Sequence, residues 1–302
     1  MRPLSEISTN LDLSPDGVWT ARTVSPVSYP ESGNDIYFAI EDSSFWFRHR
    51  NAFILEAARL FPPPGTIFDI GGGNGFVACA LQRAGFEVVL VEPGPIGAAN
   101  AVRRGVRHVV RAAFGDAGFL QGSISAIGLF DVLEHIEDQH RFLASVERCL
   151  VPGGRIYITV PASQWLWSRE DLDAGHFRRY SVADLSRALQ DAGLAVEFAT
   201  HFFGFLPLPE LFARALPYRL GLAGPPPTIE RVRADHEAAG FAANRVLRIL
   251  TGRELRRLRR LRTSRFGSSC LAVARKAGDA SGRTLTPAPD QPVAAPPSPP
   301  DR

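Results

Sequence analysis

Between residues 66 and 203, short apolar runs alternate with amphipathic stretches. The apolar runs predict strands at 66–70, 87–92, 108–112, 124–131, 155–161 and 195–203. The stretches between them predict helices near 75–84, 95–104, 138–150 and 182–192. A last apolar run, at 268–276, predicts one more strand. This alternation predicts an α/β fold built on a doubly wound, mainly parallel sheet.

The segments outside this alternation have patterns of their own. Residues 1–35 are rich in Ser, Pro, Gly and Asp without a clear period, and we expect them to be poorly ordered. Apolar positions up to Leu60 can share one helix face, so residues 36–64 are predicted to form an N-terminal helical cap that ends at the prolines of "FPPPG". The cofactor-binding core is predicted over 65–203.

The C-terminal third interrupts the rhythm of the core. Residues 204–262 begin apolar and proline-interrupted and end rich in arginine, which predicts a helical insertion. The core then resumes with its last strand, within 263–277. The tail, 278–302, is rich in Ala, Pro, Ser and Asp, and we expect it to be disordered.

The composition excludes several classes of protein. The net charge of the 302 residues is +3, which does not imply a polyanionic partner. The dense basic run at 253–265 lacks interleaved aromatic residues, so nucleic acid is not predicted as a partner. Cys79, Cys149 and Cys270 lie scattered in apolar stretches, as buried thiols in a reducing compartment do. Without a signal peptide or an apolar run of ~18 residues, we expect a cytoplasmic protein, at most peripheral to the inner face of the membrane.

The first predicted strand leads into a glycine-rich loop, in "TIFDIGGGNGF" (66–76). Ligands of open parallel sheets bind beyond the carboxyl ends of the strands. The loop contains an acidic residue, Asp69, followed by the pattern G-x-G-x-G at Gly71, Gly73 and Gly75. This pattern does not fit the G-x-G-x-x-G fingerprint of dinucleotide sites. Glycines let the backbone approach a ligand, the following helix N-terminus can bind a carboxylate, and an acidic side chain suits an ammonium. S-adenosylmethionine carries both groups and a nucleoside.

A second acidic residue, Glu92, ends the second predicted strand. It comes 23 residues after Asp69. A carboxylate at this position can accept hydrogen bonds from both hydroxyls of a ribose. Such a position suits NAD as well as S-adenosylmethionine, so the glycine spacing, not Glu92, discriminates between the two cofactors.

Four blocks in order resemble the motifs of class I S-adenosylmethionine-dependent methyltransferases. They are Asp69–Gly75, "VEPG" (91–94), "FDVLEHIED" (130–138) and "LVPGGRIYITVP" (150–161). "EDSSFWFRHRN" (41–51) and "WSREDLDAGHFRRYS" (167–181) are similar to a bacterial subgroup that acts on small molecules or cell-envelope components. The resemblance implies a Rossmann-like, seven-stranded sheet with its last strand antiparallel and S-adenosyl-L-methionine as cofactor. We also assign Asp131 to the cofactor site. Ala113 stands where the family often has an acidic residue, so we expect Phe114 to contact the adenine, by stacking or through its backbone.

Histidines are the candidate catalytic residues. Methyl transfer needs mainly alignment, but a hydroxyl acceptor gains from a general base, for which we nominate His135 and His176. His135 could instead lock its loop by hydrogen bonds. Asp131, Glu134 and His135 form a cluster similar to one that binds a divalent metal in ubiquinone-type O-methyltransferases, with His176 as a further ligand. We do not predict a metal, because many relatives with this motif need none.

The acceptor pocket has fewer markers. Trp165 and Trp167 could wall it or pack a long loop. Arg178 could recognise an acidic acceptor or make a structural ion pair. Trp46 and Phe47 could cover the cofactor or simply dock their helix.

The sequence therefore predicts a methyltransferase that acts on a small-molecule or lipid-linked acceptor, with oxygen favoured as the methylated atom. Two alternatives stay open: an NAD(P)-dependent oxidoreductase, and a non-catalytic protein that binds the cofactor. The insertion at 204–262 is predicted to be a substrate lid with a solvated basic face, or else a contact with an anionic membrane.

Overall fold

The computed structural model describes residues 2–23, 32–222 and 241–278, which share a nine-stranded sheet. The strands are β1 (Leu11–Leu13), β2 (Trp19–Ala21), β3 (Ile67–Ile70), β4 (Val88–Val91), β5 (Val109–Arg111), β6 (Ile124–Phe130), β7 (Leu150–Pro161), β8 (Leu194–Phe202) and β9 (Ser269–Lys276). Their order in the sheet is β1-β2-β5-β4-β3-β6-β7-β9-β8.

The predicted core consists of the seven neighbouring strands β5-β4-β3-β6-β7-β9-β8 of this sheet. β3 pairs in parallel with β4 and β6, β4 with β5, and β6 with β7, whereas β9 lies antiparallel between β7 and β8. The predicted doubly wound sheet with an antiparallel last strand is thus confirmed. β7 starts five residues earlier than predicted, because Leu150 already pairs with Ile124 ahead of a break in the register.

Helices cover both faces of the sheet. They are α1 (Leu4–Ile7), α2 (Ser32–Ile40), α3 (Phe45–Leu60), α4 (Phe76–Arg83), α5 (Pro95–Arg104), α6 (Gln139–Cys149), α7 (Arg169–Asp173), α8 (Val182–Asp191), α9 (Pro207–Glu210), α10 (Leu216–Arg219) and α11 (Phe241–Arg259). Buried residues of α1, α6 and α8 join one apolar core, and those of α3, α4, α5 and α11 join the other. Each core fills one side of the sheet.

The N-terminal segment is ordered where the structure describes it, so the prediction that residues 1–35 are poorly ordered is wrong there. Leu4 and Ile7 of α1 are 2% and 1% exposed. β2 extends the sheet by parallel pairing of Trp19 with Val110 of β5, and β1 pairs with β2. Few apolar residues suffice here, because the edge of an existing sheet supplies the backbone partners. This ribbon raises the strand count from seven to nine.

The helical cap consists of two helices rather than one. The helical conformation is interrupted at residues 41–44, between α2 and α3. Ser44 caps α3 by accepting hydrogen bonds from the N–H groups of Trp46 and Phe47 (3.2 and 3.5 Å).

The insertion is helical in its described parts. α9 and α10 are joined by a π-helical turn, Leu211–Ala215, and α11 packs against α3. Residues 223–240 and the predicted disordered tail from 279 onward lie outside the described residues. No helix in the described ranges is long and apolar enough to cross a bilayer.

Candidate functional site

The loop between β3 and α4 depends on glycine. Gly71, Gly73 and Gly75 have φ angles of 66°, 52° and 74°, in the left-handed region that other residues rarely adopt. A Cβ on Gly71 would lie 2.8 Å from a methyl of Val132, and one on Gly75 would lie 2.9 Å from Cβ of Ala101. Both conformation and space therefore require glycine at 71 and 75.

Asp69 lies at the base of this loop as a buried carboxyl. It is 1% exposed, and neither of its oxygens has a partner within hydrogen-bond distance. Burial, reinforced by Glu92 and opposed by Arg50 and the backbone of Ala78, raises the pKa of Asp69 to about 7. Unsatisfied buried polar groups are rare and costly. Asp69 therefore points to a cationic partner, such as an ammonium.

Glu92 connects the glycine loop with the loop after β4. Its Oε2 accepts a hydrogen bond from the N–H of Gly73 and its Oε1 from that of Gly94, both at 2.8 Å. Glu92 is 6% exposed. Asn34 of α2 lies against the same loops, with its Nδ2 3.2 Å from where a Cβ on Gly97 would be.

An arginine that the sequence analysis did not assign to the site lies beside Asp131. Arg50 of α3 is 7% exposed. Its Nη2 donates to the carbonyl of Phe130 (2.7 Å), and its Nε lies 2.5 Å from Oδ2 of Asp131. Asp131 has a φ of 58°, unusual outside glycine, and accepts a hydrogen bond from Thr159 (3.2 Å). The available signal was an arginine within a predicted apolar helix. The cofactor role of Asp131 stays a prediction.

The structure brings the two candidate histidines together. The ring centroids of His135 and His176 are 4.8 Å apart, with the rings nearly perpendicular. Burial, and then the neighbouring His176, lower the pKa of His135 to about 4. His135 is therefore a neutral imidazole near pH 7, and a weak base.

Asp171, which the sequence analysis did not single out, orients His176. Its Oδ1 lies 2.9 Å from Nδ1 of His176 and accepts a hydrogen bond from Nε of Arg179 (2.8 Å). Its Oδ2 accepts one from the N–H of Ser168, which completes a capping box on α7. Burial alone would raise the pKa of Asp171, but the hydrogen bonds from His176 and Arg179 hold it below its usual value. In the sequence, the feature that pointed to this pair was the spacing of five residues between Asp171 and His176.

A possible metal-binding group differs from the predicted one. The ligand atoms of Glu134, His135 and His176 all lie within 4.8 Å of one another. Asp131, which the sequence placed in the cluster with Glu134 and His135, is not in this group and pairs with Arg50. Oε2 of Glu134 has no partner, and burial, followed by the charge of Asp131, raises its pKa well above the usual value. Carboxylate and imidazole ligands suit several divalent ions.

Two of the three predicted acceptor-site residues, Trp165 and Arg178, make structural contacts. Trp165, 37% exposed, stacks on Phe266 with the ring centroids 6.1 Å apart. Trp167 is half-buried. Arg178 donates to the carbonyl of Glu137 (2.7 Å) and so holds the loop after β6. A role of Trp165, Trp167 and Arg178 in acceptor binding stays a prediction.

Phe114 packs in the core. It is 9% exposed, and its ring centroid lies 5.9 Å from that of Phe119 and 5.8 Å from that of Phe142. Little of its surface is left for the adenine that the sequence analysis expected there.

The aromatic residues of α3 dock that helix beside the glycine loop. Trp46 stacks on Phe203 (5.6 Å), and Phe47 meets the edge of Phe76, the first residue of α4 (6.1 Å). This packing fits both readings of Trp46 and Phe47, because helix docking itself places them next to the loop.

The residues present fit the cofactor that the glycine loop implies. Asp69 offers an unpartnered carboxyl to an ammonium, the N-terminus of α4 offers N–H groups to a carboxylate, and Glu92 offers two oxygens to a ribose. Together with the strand order and the antiparallel β9, these groups define a class I S-adenosylmethionine-dependent methyltransferase fold.

The chain belongs to the methyltransferase domain family. The family model matches residues 44–198, half of the chain. This match decides between the cofactors that Glu92 left open, in favour of S-adenosylmethionine over a nicotinamide nucleotide.

Similar curated proteins are bacterial. The chain is 39% identical over 106 residues to an uncharacterized methyltransferase of Mycobacterium sp. (strain JLS), a match covering 34% of this chain and 42% of that protein. It is 24% identical over 192 residues to a probable S-adenosylmethionine-dependent methyltransferase of Mycolicibacterium smegmatis, covering 63% of this chain and 74% of that one. It is 22% identical over 160 residues to a ubiquinone biosynthesis O-methyltransferase of Xanthomonas axonopodis pv. citri, a match that covers 47% of this chain and 67% of that protein. The first of these matches thus spans under half of its relative's length.

Among solved structures, the chain is similar to phosphoethanolamine N-methyltransferase 2 of Haemonchus contortus. That structure contains phosphomonomethylethanolamine and S-adenosylhomocysteine. The TM-score is 0.52 at 16% identity, and the match covers 82% of this chain and 57% of that chain. At this identity the likeness concerns the fold.

Proposed function

We propose that the protein is an active S-adenosylmethionine-dependent methyltransferase that methylates a hydroxyl oxygen of a small or lipid-linked acceptor. The observation that carries this proposal is the pair of His176 and Asp171, beside His135 at the carboxyl edge of the sheet. A histidine backed by a buried carboxylate is an arrangement that takes up protons.

S-adenosylmethionine supplies an electrophilic sulfonium methyl when it is bound. Asp69 and the glycine loop would hold its amino-acid end, and Glu92 would hold its sugar. Nδ1 of His176 faces Oδ1 of Asp171 at 2.9 Å, so Nδ1 keeps its proton and the lone pair of Nε2 is available. Nε2 would take the hydroxyl proton of the acceptor, and the cofactor would supply the methyl group by cleavage of its methyl–sulfur bond and leave as S-adenosylhomocysteine. Alignment of the two reactants contributes ~7–11 kcal/mol in well-oriented reactions.

Oxygen is favoured over nitrogen for a chemical reason. A hydroxyl loses its proton during methylation and benefits from a base, whereas a neutral amine already presents its lone pair. The likeness to a ubiquinone biosynthesis O-methyltransferase supports oxygen, and the likeness to a phosphoethanolamine N-methyltransferase is the argument for nitrogen. A nearby general base is the feature that separates the two.

The test is incubation with methyl-labelled S-adenosylmethionine and the aqueous and lipid fractions of a bacterial extract, followed by mass spectrometry. We expect a labelled O-methyl product. His176→Gln should lower kcat by ~10²–10⁴ with the affinity for S-adenosylhomocysteine unchanged. His140→Gln, an exposed histidine of α6, is the matched control and should retain activity.

Two results would replace this proposal. If a chelator abolishes turnover and a divalent ion restores it, Glu134, His135 and His176 bind a metal and His176 is not the base. If the protein binds S-adenosylhomocysteine but methylates nothing in any fraction, the non-catalytic alternative is correct, since one fold can host different functions.

A further inference from the structure

A groove lies between α3 and α11, on a part of the surface that the proposed chemistry does not use. Its volume is about 1060 Å³. Four arginines line it, Arg48 from α3 and Arg245, Arg248 and Arg256 from α11, and none of its described lining residues is an Asp or Glu. We call it the arginine groove.

The charge of the arginine groove is not neutralised by the described part of the chain. All four arginines are exposed, and none of them makes an ion pair there. The acidic residue of α11, Glu254, is used elsewhere. It accepts hydrogen bonds from the N–H groups of Phe203 and Gly204 (3.1 and 2.6 Å) and lies 2.7 Å from Nε2 of His49. Glu254 thus anchors α11 to α3 and to the end of β8, and it does not neutralise the arginines of the groove.

Apolar side chains accompany the arginines. Phe45, Ala52 and Leu255 contribute to the walls of the groove, and Val246 and Ile249, on the same helix, are 55% and 49% exposed. The other described part of the insertion also exposes large apolar side chains, at Leu208, Phe212, Leu216 and Leu220. Exposed aliphatic residues among cations are typical of helices that lie in a membrane interface.

The same chemistry argues against other anionic partners. Single-stranded nucleic acids are held by exposed aromatic residues on which bases stack, and the groove offers only Phe45, which is half-buried. A free phosphate ion requires no apolar wall. A lipid headgroup attached to acyl chains uses both the arginines and the aliphatic side chains.

The arginine groove is separate from the site of methyl transfer. Arg50 reaches Asp131 at the carboxyl edge of the sheet, and Arg48 lines the groove two residues earlier. Residues two apart on an α-helix point ~200° from each other. α3 therefore separates the groove from the cofactor site.

We propose that the arginine groove binds the phosphate headgroups of anionic lipids and docks α11 on the surface of a bilayer. The proposal does not rest on the methylation chemistry. Each arginine near an anionic surface adds a several-fold gain in binding at low salt, and the gain diminishes as salt screens the charges.

The experiment is co-sedimentation of the full chain with vesicles of phosphatidylcholine, with and without phosphatidylglycerol. We expect binding only to vesicles that contain phosphatidylglycerol. A variant with Arg48, Arg245, Arg248 and Arg256 all changed to Gln should bind at least tenfold more weakly. The control removes the same charge at exposed arginines elsewhere, Arg83, Arg107, Arg141 and Arg148, and should bind within about twofold of the unmodified protein.

A second variant tests the apolar part. Val246→Ser with Ile249→Ser removes apolar surface at exposed positions without changing the charge and should also weaken vesicle binding. Affinity for S-adenosylhomocysteine, measured by calorimetry, should stay unchanged in all variants, which shows that they are folded. Equal binding by the groove and control variants would overturn the proposal. So would stabilisation by inorganic phosphate, or retention of RNA, without vesicle binding.

Discussion

We expect the buried carboxyl of Asp69 to make cofactor affinity depend on pH. An ammonium binds the ionised carboxylate, and the ammonium keeps its proton as the pH falls. With the pKa of Asp69 at about 7, the free protein holds a carboxylate above that pH and a neutral acid below it. We therefore expect affinity for S-adenosylhomocysteine to be full above pH ~7 and to fall as the pH drops through this value.

The size of the effect follows from the shift. A change in pKa from 3.8 to about 7 corresponds to ~4 kcal/mol in favour of the neutral acid. About three quarters of the carboxyl is ionised at pH 7.5 and about 3% at pH 5.5, so the dissociation constant should rise ~25-fold over this range. Asp69→Asn removes the charge and should weaken binding ~10–100-fold at pH 7.5, the usual loss for a hydrogen bond to a charged group.

Isothermal titration calorimetry with S-adenosylhomocysteine at several pH values measures both effects. Asp191→Asn is the control, because Asp191 is an exposed carboxylate at the end of α8. It should keep the pH dependence of the unmodified protein, whereas Asp69→Asn should lose it. A flat affinity between about pH 8 and 5.5, or an unchanged pH dependence in Asp69→Asn, would refute the assignment of Asp69 to the ammonium.

Three further predictions concern stability and cofactor binding. Arg50→Ala leaves the Asp131 carboxylate unpaired and should lower the free energy of unfolding by ~3 kcal/mol in urea titrations, whereas Arg48→Ala, which is exposed, should change it by less than ~0.5 kcal/mol. Ile7→Ala should cost ~2–4 kcal/mol by the same measurement, with the exposed Leu13→Ala nearly neutral; no loss for Ile7→Ala would mean that α1 does not pack as described. Glu92→Ala should weaken S-adenosylhomocysteine at least ~10-fold in calorimetry, and unchanged binding would mean that Glu92 does not contact the ribose.

Sequence periodicity was a reliable guide to the elements of the core. The strands from β3 to β9 lie within a few residues of their predicted positions, because each is a buried apolar run between turn residues. The N-terminal strands β1 and β2 were not predicted, for the opposite reason. β1 and β2 contain three residues each and gain their stability from β5, so their own sequence carries little periodic signal.

The candidate site divides in a similar way. The sequence marked Asp69, the glycine loop and Glu92 as candidate cofactor-binding residues. Each lies at or after the end of a predicted strand, and the ends of parallel strands lie at one edge of the sheet. Arg50 and Asp171 left weaker signals that did not identify them, because one is an arginine within a helix and the other is one of three acidic residues in α7. Their importance depends on their partners, Asp131 and His176.

The sequence by itself determined the class of fold, the positions of the core strands along the chain and the ligand chemistry of the glycine loop. These properties depend on local periodicity, on residues that alone can adopt a conformation, and on rules that connect strands to an edge. Only the tertiary structure decided which charges meet. Asp131 pairs with Arg50 of α3, His176 faces Asp171, and α11 places its arginines beside Arg48. Such pairings depend on distances between side chains from separate elements, which no local pattern in a single chain encodes.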